Sequence, residues 1–226
     1  MHVEFDICNA CGNCIDTCAY SALKIYGRQS TVEEVMKEVE KDTIYYNSSN
    51  GGLTLSGGEP MYQFEFTQAL LRLAKEKKIH TCIETSGYAL TEEFEEILPF
   101  TDLFLYDYKL TDDFYHKRYT KKSNELIIKN LHYLNQKSAN IVLRCIIIPS
   151  INDHEDHFNA IVDLSNRLKQ IQAVEIIPYH DFGRSKYKQL GMGEYPLDQG
   201  SVSSETAELW LKKLKNMGCR NVRLGS

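Results

Sequence analysis

Leu53-Thr54-Leu55-Ser56-Gly57-Gly58-Glu59-Pro60 is a short apolar run that stops on a polar, glycine-rich turn. The same grammar recurs downstream. His80–Ile83 runs into Glu84-Thr85-Ser86, Leu103–Tyr108 carries Asp107 and leads to Lys109, Ile141–Ile148 contains Arg144, and Val174–Tyr179 is followed by His180. Helical patterns lie between these runs, near 63–77, 91–98, 123–137 and 154–170. The runs carry β-branched or aromatic residues on both faces, which predicts strands buried on both sides. Strand–helix alternation predicts a parallel sheet with helices outside it. A last helix over 203–217 and a short strand, Val222–Leu224, close the pattern.

Alternation fits a barrel or an open sheet equally well. The polar residues favour the barrel. In barrel-type α/β folds the working groups sit at the C-terminal strand ends and in the loops that follow, and here five consecutive strands end on polar groups. Two adjacent glycines, Gly57 and Gly58, allow close backbone approach to a ligand. Asp107 and Lys109, at i and i+2, lie on one face of a strand. Each group also has a plainer reading. Glu59 can be a solvated turn residue, Asp107 and Lys109 an ion pair, Arg144 a partner for sheet-end carbonyls, and His180 a polar cap.

Upstream of residue 53, Ser30 with Glu33 three residues later predicts a capped helix over 30–46, and Asn47–Gly52 reads as a loop. Residues 1–28 form a cysteine-dense head, separate from the 29–226 body. It reads Cys8-x2-Cys11-x2-Cys14-x3-Cys18, the bacterial ferredoxin spacing for iron–sulfur ligation. In that spacing the fourth cysteine ordinarily serves a second cluster. Zinc sites usually pair two CxxC elements across a longer loop, which this run lacks. Cys82, Cys145 and Cys219 lie in or beside strands and read as small buried hydrophobes.

Composition sets the outer bounds. The 226 residues are 42% hydrophobic and 25% charged, as in ordinary globular chains. The net charge of −5 argues against a nucleic-acid partner. No apolar run is long enough to span a membrane, and residues 1–6 have no export-signal character, so the expected location is cytoplasmic.

Taken in order, the ferredoxin run, GGLTLSGGEP (51–60), ETSGY (84–88), DLFLYDYK (102–109), Arg144 followed by Pro149, and IIPYHDFGRSKY (176–187) resemble a glycyl-radical-enzyme activating enzyme. That is the pyruvate formate-lyase activating enzyme family of the radical S-adenosylmethionine (SAM) superfamily. The likeness runs from about residue 4 to the C-terminus. It implies a partial (β/α) TIM-like barrel with a short ferredoxin-like head. It also implies reductive cleavage of SAM to a 5′-deoxyadenosyl radical, which takes hydrogen from a glycine of a partner enzyme. The implied cofactors are a 4Fe-4S cluster at Cys8, Cys11, Cys14 and Cys18, SAM, and a monovalent cation. The implied partners are a glycyl radical enzyme and a flavodoxin or ferredoxin reductant, with the chain a monomer.

By the same resemblance, Gly57, Gly58 and Glu59 hold the methionyl amine of SAM. Glu84, Thr85 and Ser86 lie near its methionine and the cation; the family more often has Asp at position 84. Asp107 and Lys109 lie beside SAM and the peptide, and Arg144 and His180 near the SAM carboxylate and the ribose or adenine. The family's CxxxCxxC loop, whose cluster reduces SAM, does not occur in these 226 residues. The expectation is therefore an N-terminally truncated barrel lacking its first strand and marginally stable. No catalytic residue is assigned within it, and it is incompetent alone. An iron–sulfur electron carrier and a non-catalytic remnant or split-gene interaction module are the alternatives.

Overall fold

A computed structural model describes residues 3–195, 197 and 199–225. Met1, His2, Pro196, Asp198 and Ser226, the first two being part of the N-terminal stretch read above, lie outside the described residues.

The head holds one helical turn, α1 (Asn13–Asp16), entered through Gly12 at φ 85°. No described residue from 3 to 31 is buried. Two helices follow, α2 (Val32–Val39) and α3 (Thr43–Ser49), joined by a 3-10 turn at Glu40–Asp42. Two expectations are corrected here. The capping box uses Thr31 and Glu34, one residue beyond the Ser30 and Glu33 pair, because Thr31 is the residue with extended backbone at φ −84°, ψ 164°. The Asn-Ser-Ser stretch read as loop is helical to Ser49, and the chain turns only at Asn50, which is left-handed at φ 54°.

The body alternates β1 (Gly52–Leu55), α4 (Phe64–Glu76), β2 (His80–Thr85), α5 (Thr91–Ile97), β3 (Leu103–Asp107), α6 (Asp113–Thr120), α7 (Glu125–Gln136), β4 (Ile141–Ile147), α8 (Glu155–Arg167), β5 (Ile171–Pro178), α9 (Gly183–Gln189), α10 (Ser204–Asn216) and β6 (Val222–Leu224). All strand pairs are parallel, in the sheet order β1-β2-β3-β4-β5-β6. This is the α/β architecture that the alternation predicts. Neither α6 nor α9 is in the sequence reading. The α6 segment, DFYHKRYT, has no apolar stripe; it starts because Asp112 caps the Tyr115 N–H at 3.0 Å.

The strands are not buried equally on both faces, as their composition suggested. The outer face carries Ile83, Phe104, Tyr106, Leu143, Cys145 and Ile176, all fully buried. They pack against Phe94, Ile97, Leu131, Leu134, Phe158 and Leu214 of the helix layer. The other face is only half-buried at Glu84, Asp107, Arg144 and Glu175. A second, smaller core joins Met36 of α2 to Leu53, Leu70, Ala74 and Ile79. Cys82, Cys145 and Cys219 are buried as expected, and burial pushes each thiol pKa up.

Candidate functional site

Strand register builds the site. Asp107 pairs with Arg144, Arg144 with Glu175, and Glu175 with Arg223, so charges of alternating sign form one row across β3 to β6. Glu84 on β2 stands opposite Leu105, two residues before Asp107 and on the same face. Arg144 reaches across to β2, with Nη1 2.5 Å from Glu84 Oε1 and 4.0 Å from Asp107 Oδ1. Lys109 Nζ lies 3.4 Å from Asp107 Oδ2. The Arg144 and Asp107 side chains are only 14% and 15% exposed. Burial pushes the Asp107 carboxyl pKa up, while Lys109 and Arg144 pull it down.

These ion pairs lack full hydrogen-bond geometry. Asp107 Oδ1 and Arg144 Nη1 are both buried without a hydrogen-bond partner. Buried polar atoms are ordinarily satisfied, so Asp107 Oδ1, with Arg144 Nη1 4.0 Å away, marks a place where a donor group of a ligand completes the set.

The loop after β1 supplies the second wall. Gly57 has φ 125°, and a Cβ at Gly57 or Gly58 would meet nothing within 4 Å. Backbone conformation calls for glycine at Gly57, and open space lies where a side chain of either residue would stand. Glu59 is a brace. Its carboxylate accepts from Thr85 Oγ1 at 2.7 Å, Ser86 N at 2.8 Å, Ser86 Oγ at 2.5 Å and Met61 N at 3.2 Å. It ties the β1 loop to the end of β2. A cavity of about 730 Å³ opens between these parts, walled by Ser56–Glu59, Glu84–Ser86, Asp107 and Lys109.

Most of the expected residues converge: Gly57, Gly58, Glu59, Glu84, Thr85, Ser86, Asp107 and Lys109 wall the cavity, and Arg144 joins it through Glu84. His180 does not. It is exposed beyond β5, does not line the cavity, and stacks on Phe182 with ring centroids 4.4 Å apart.

The sequence reading missed Glu175 and Arg223, paired at 2.7 Å. Their signal was a charge inside an apolar strand run. It also missed the wall contributed by Tyr88, His116, Thr120 and Lys122, of which the last three come from α6 and the turn after it.

In the head, Cys8, Cys11 and Cys14 are exposed and Cys18 is half-buried. Backbone N–H groups, led by that of Ala22 at 3.3 Å, hold the Cys18 thiol pKa below its ordinary value. The donor chemistry suits iron–sulfur ligation. The thiols are not gathered, however: among the described residues no three His, Cys, Asp or Glu side chains come together as a metal-binding group.

The model of the Radical SAM superfamily matches residues 8–161. The chain belongs to the radical SAM superfamily. Within it, the curated relatives are activating enzymes. The isethionate sulfite-lyase activating enzyme of Nitratidesulfovibrio vulgaris is 41% identical over 205 residues, covering 88% of this chain and 66% of that protein. The trans-4-hydroxy-L-proline dehydratase activating enzyme of Clostridioides difficile is 38% identical, covering 87% of this chain and 65% of that protein. The isethionate sulfite-lyase activating enzyme of Oleidesulfovibrio alaskensis is 40% identical, covering 92% and 69%. This chain thus spans about two thirds of their length. Among solved structures, a domain of a pyruvate-formate lyase-activating enzyme from Bacteroides vulgatus superposes with TM-score 0.64 at 24% identity, covering 78% of this chain and 99% of that one. That likeness carries the radical SAM fold.

Superfamily membership implies a 4Fe-4S cluster and SAM. The strand-end residues fit SAM on two counts: the open glycine turn, which leaves room for a ligand against the backbone, and the buried, unpartnered Asp107 Oδ1. Among the described residues no helix is long and apolar enough to cross a membrane.

Proposed function

We propose that this chain forms the SAM- and substrate-facing part of an activating enzyme for a glycyl radical enzyme. The observation that carries the reading is that the Gly57-Gly58 turn shares one cavity with the strand-end ionic cluster of Glu84, Asp107 and Lys109, which Arg144 joins through Glu84. The Glu59 carboxylate is spent on protein donors, so the backbone of Gly57 and Gly58 is left to hold the methionyl amine. Arg144 offers its guanidinium to the methionyl carboxylate. Asp107, its charge balanced by Lys109 and Arg144, accepts from donor groups of the ligand. SAM, when bound and reduced by one electron, supplies the radical that takes hydrogen from a partner glycine.

The rest of the reading follows the same family logic. The head cysteines take an auxiliary 4Fe-4S cluster, a flavodoxin or ferredoxin is the reductant, and a monovalent cation lies by Glu84, Thr85 and Ser86. The chain works as a cytoplasmic monomer.

The test is calorimetric titration with SAM. Arg144→Ala is expected to weaken binding about tenfold, the scale of losing a charge-assisted hydrogen bond. No SAM binding by the unmodified chain, or equal affinity in the variant, would overturn the reading. Because these 226 residues contain no CxxxCxxC, a polypeptide limited to them is expected to give no 5′-deoxyadenosine above background under anaerobic reducing conditions. Product that depends on SAM would refute that expectation.

A further inference from the structure

His116 on α6 is 3% exposed and yet lines the cavity. Its Nδ1 lies 2.8 Å from the carbonyl oxygen of Lys122. A carbonyl only accepts, so Nδ1 carries the proton. Thr120 Oγ1, 3.0 Å from the same nitrogen, donates its own hydrogen to the His116 carbonyl at 2.8 Å. The tautomer is therefore fixed. Nε2 has no hydrogen-bond partner among the described residues, and in the Nδ1–H tautomer it is the acceptor. With Nδ1 committed to the Lys122 carbonyl, Nε2 is the ring nitrogen left to meet a ligand from the cavity.

The surroundings say what kind of donor. The same wall holds Tyr88, Leu90, Leu126 and Ile127, and Lys122 places its ammonium 5.1 Å from the Tyr88 ring centroid. Tyr62 is 91% exposed and Leu90 61%, although both border the cavity. Large exposed apolar side chains at a cavity border suit a polypeptide surface better than an enclosed small molecule.

We propose that His116 is a peptide-binding residue: Nε2 accepts a hydrogen bond from a main-chain N–H of a substrate polypeptide seated against Tyr62, Tyr88 and Leu90. This rests on the activating-enzyme reading and deepens it. The hydrogen bond fixes how far the substrate backbone enters, and so which carbon faces the ligand held at the strand ends.

The probe is the capped pentapeptide acetyl-Ala-Ala-Gly-Ala-Ala-amide, titrated in parallel with SAM. His116→Asn keeps an N–H where Nδ1 donates to the Lys122 carbonyl and removes the Nε2 acceptor. It is expected to raise the peptide Kd about tenfold and leave the SAM Kd within about twofold, inside the scatter expected for a site that loses no contact. Equal peptide affinity in the variant, or a parallel loss of both ligands, overturns the proposal.

If the variant fails to fold, the unmodified chain still decides. Peptide addition should shift the His116 Nε2 nitrogen resonance upfield, and an unmoved resonance overturns the proposal. Failure is also separable from that of the broader reading. A chain that binds SAM but not the peptide sinks only the role of His116. A chain that binds neither sinks both.

Discussion

His157 shows how one residue couples burial to pH. It is fully buried, and its ring stacks on Tyr108 with centroids 5.5 Å apart at 10°. The Tyr108 hydroxyl donates to Thr111 Oγ1 at 2.9 Å, and Thr111 in turn donates to His157 Nδ1 at 2.7 Å. Nε2 is buried without a partner. Burial, with His154 adding to it, lowers the His157 pKa from 6.5 to about 4. The sign follows from proton counts. Between pH 4 and 6.5 the unfolded chain binds a proton that the folded chain refuses, so stability rises with pH across that window. It is fully present above about pH 6.5 and is lost as the solution is acidified. From pH 7 to pH 5 the loss is about 2 kcal/mol. Urea unfolding at the two pH values should show this drop in the unmodified chain and little of it in His157→Phe, which keeps the ring stack and cannot titrate. The same pH dependence in both proteins would refute the assignment.

At the scale of elements, the joint between β2, β3 and α7 turns on one glycine. Gly87 has φ 76°, and a Cβ there would collide with the Tyr106 hydroxyl and ring. That hydroxyl donates to the Ile127 carbonyl at 2.6 Å, and Asn130 of α7 donates to the Gly87 and Ala89 carbonyls at 2.9 and 2.8 Å. Gly87→Ala therefore strains the backbone and displaces a fully buried tyrosine. It should cost about 3 kcal/mol, lowering Tm by roughly 10 °C in a thermal scan. Gly57→Ala, whose Cβ meets nothing, should cost about 1–2 kcal/mol from its φ alone, while losing SAM affinity through the filled cradle. A smaller Tm drop at Gly87 than at Gly57 would invert this account.

The same joint marks what the sequence made legible. Runs such as Leu103–Tyr108 announce strands by composition, and the glycine turn and strand-end charges announce a site. The α6 wall was invisible because Asp113–Thr120 has no apolar stripe and is fixed by the Asp112 cap and by Asp113 accepting from Ser123 and Asn124. The cap is local, but the Asp113 partners lie ten and eleven residues away, beyond the reach of a helical pattern. Arg144 was legible as a candidate; that it spans β3 to reach Glu84 depended on register.

At the scale of the molecule, the head and the body differ in how they are held. The body buries the outer face of a six-stranded sheet under its helices. The head buries no described residue and touches the body only through limited contacts, with Phe5 against Gly191, the Tyr26 hydroxyl on Gln189, and Lys186 5.6 Å from the Tyr26 ring centroid. A segment with so little buried area opens at almost no free-energy cost, whereas strands such as β4 exchange only through large-scale opening. Gathering four thiolates therefore falls to the metal, since binding energy at such a site doubles as folding energy. Hydrogen exchange should find the amides of residues 8–22 nearly unprotected in the metal-free chain and those of β4 and β5 strongly protected. Anaerobic reconstitution with iron and sulfide should then slow exchange in residues 8–22 at least about tenfold, equivalent to more than 1 kcal/mol of local stabilisation, and leave the sheet unchanged. Cys11→Ser should abolish the change. If the head is already protected without metal, or if reconstitution gives cluster absorbance with no new protection there, the head cysteines are not its ligands.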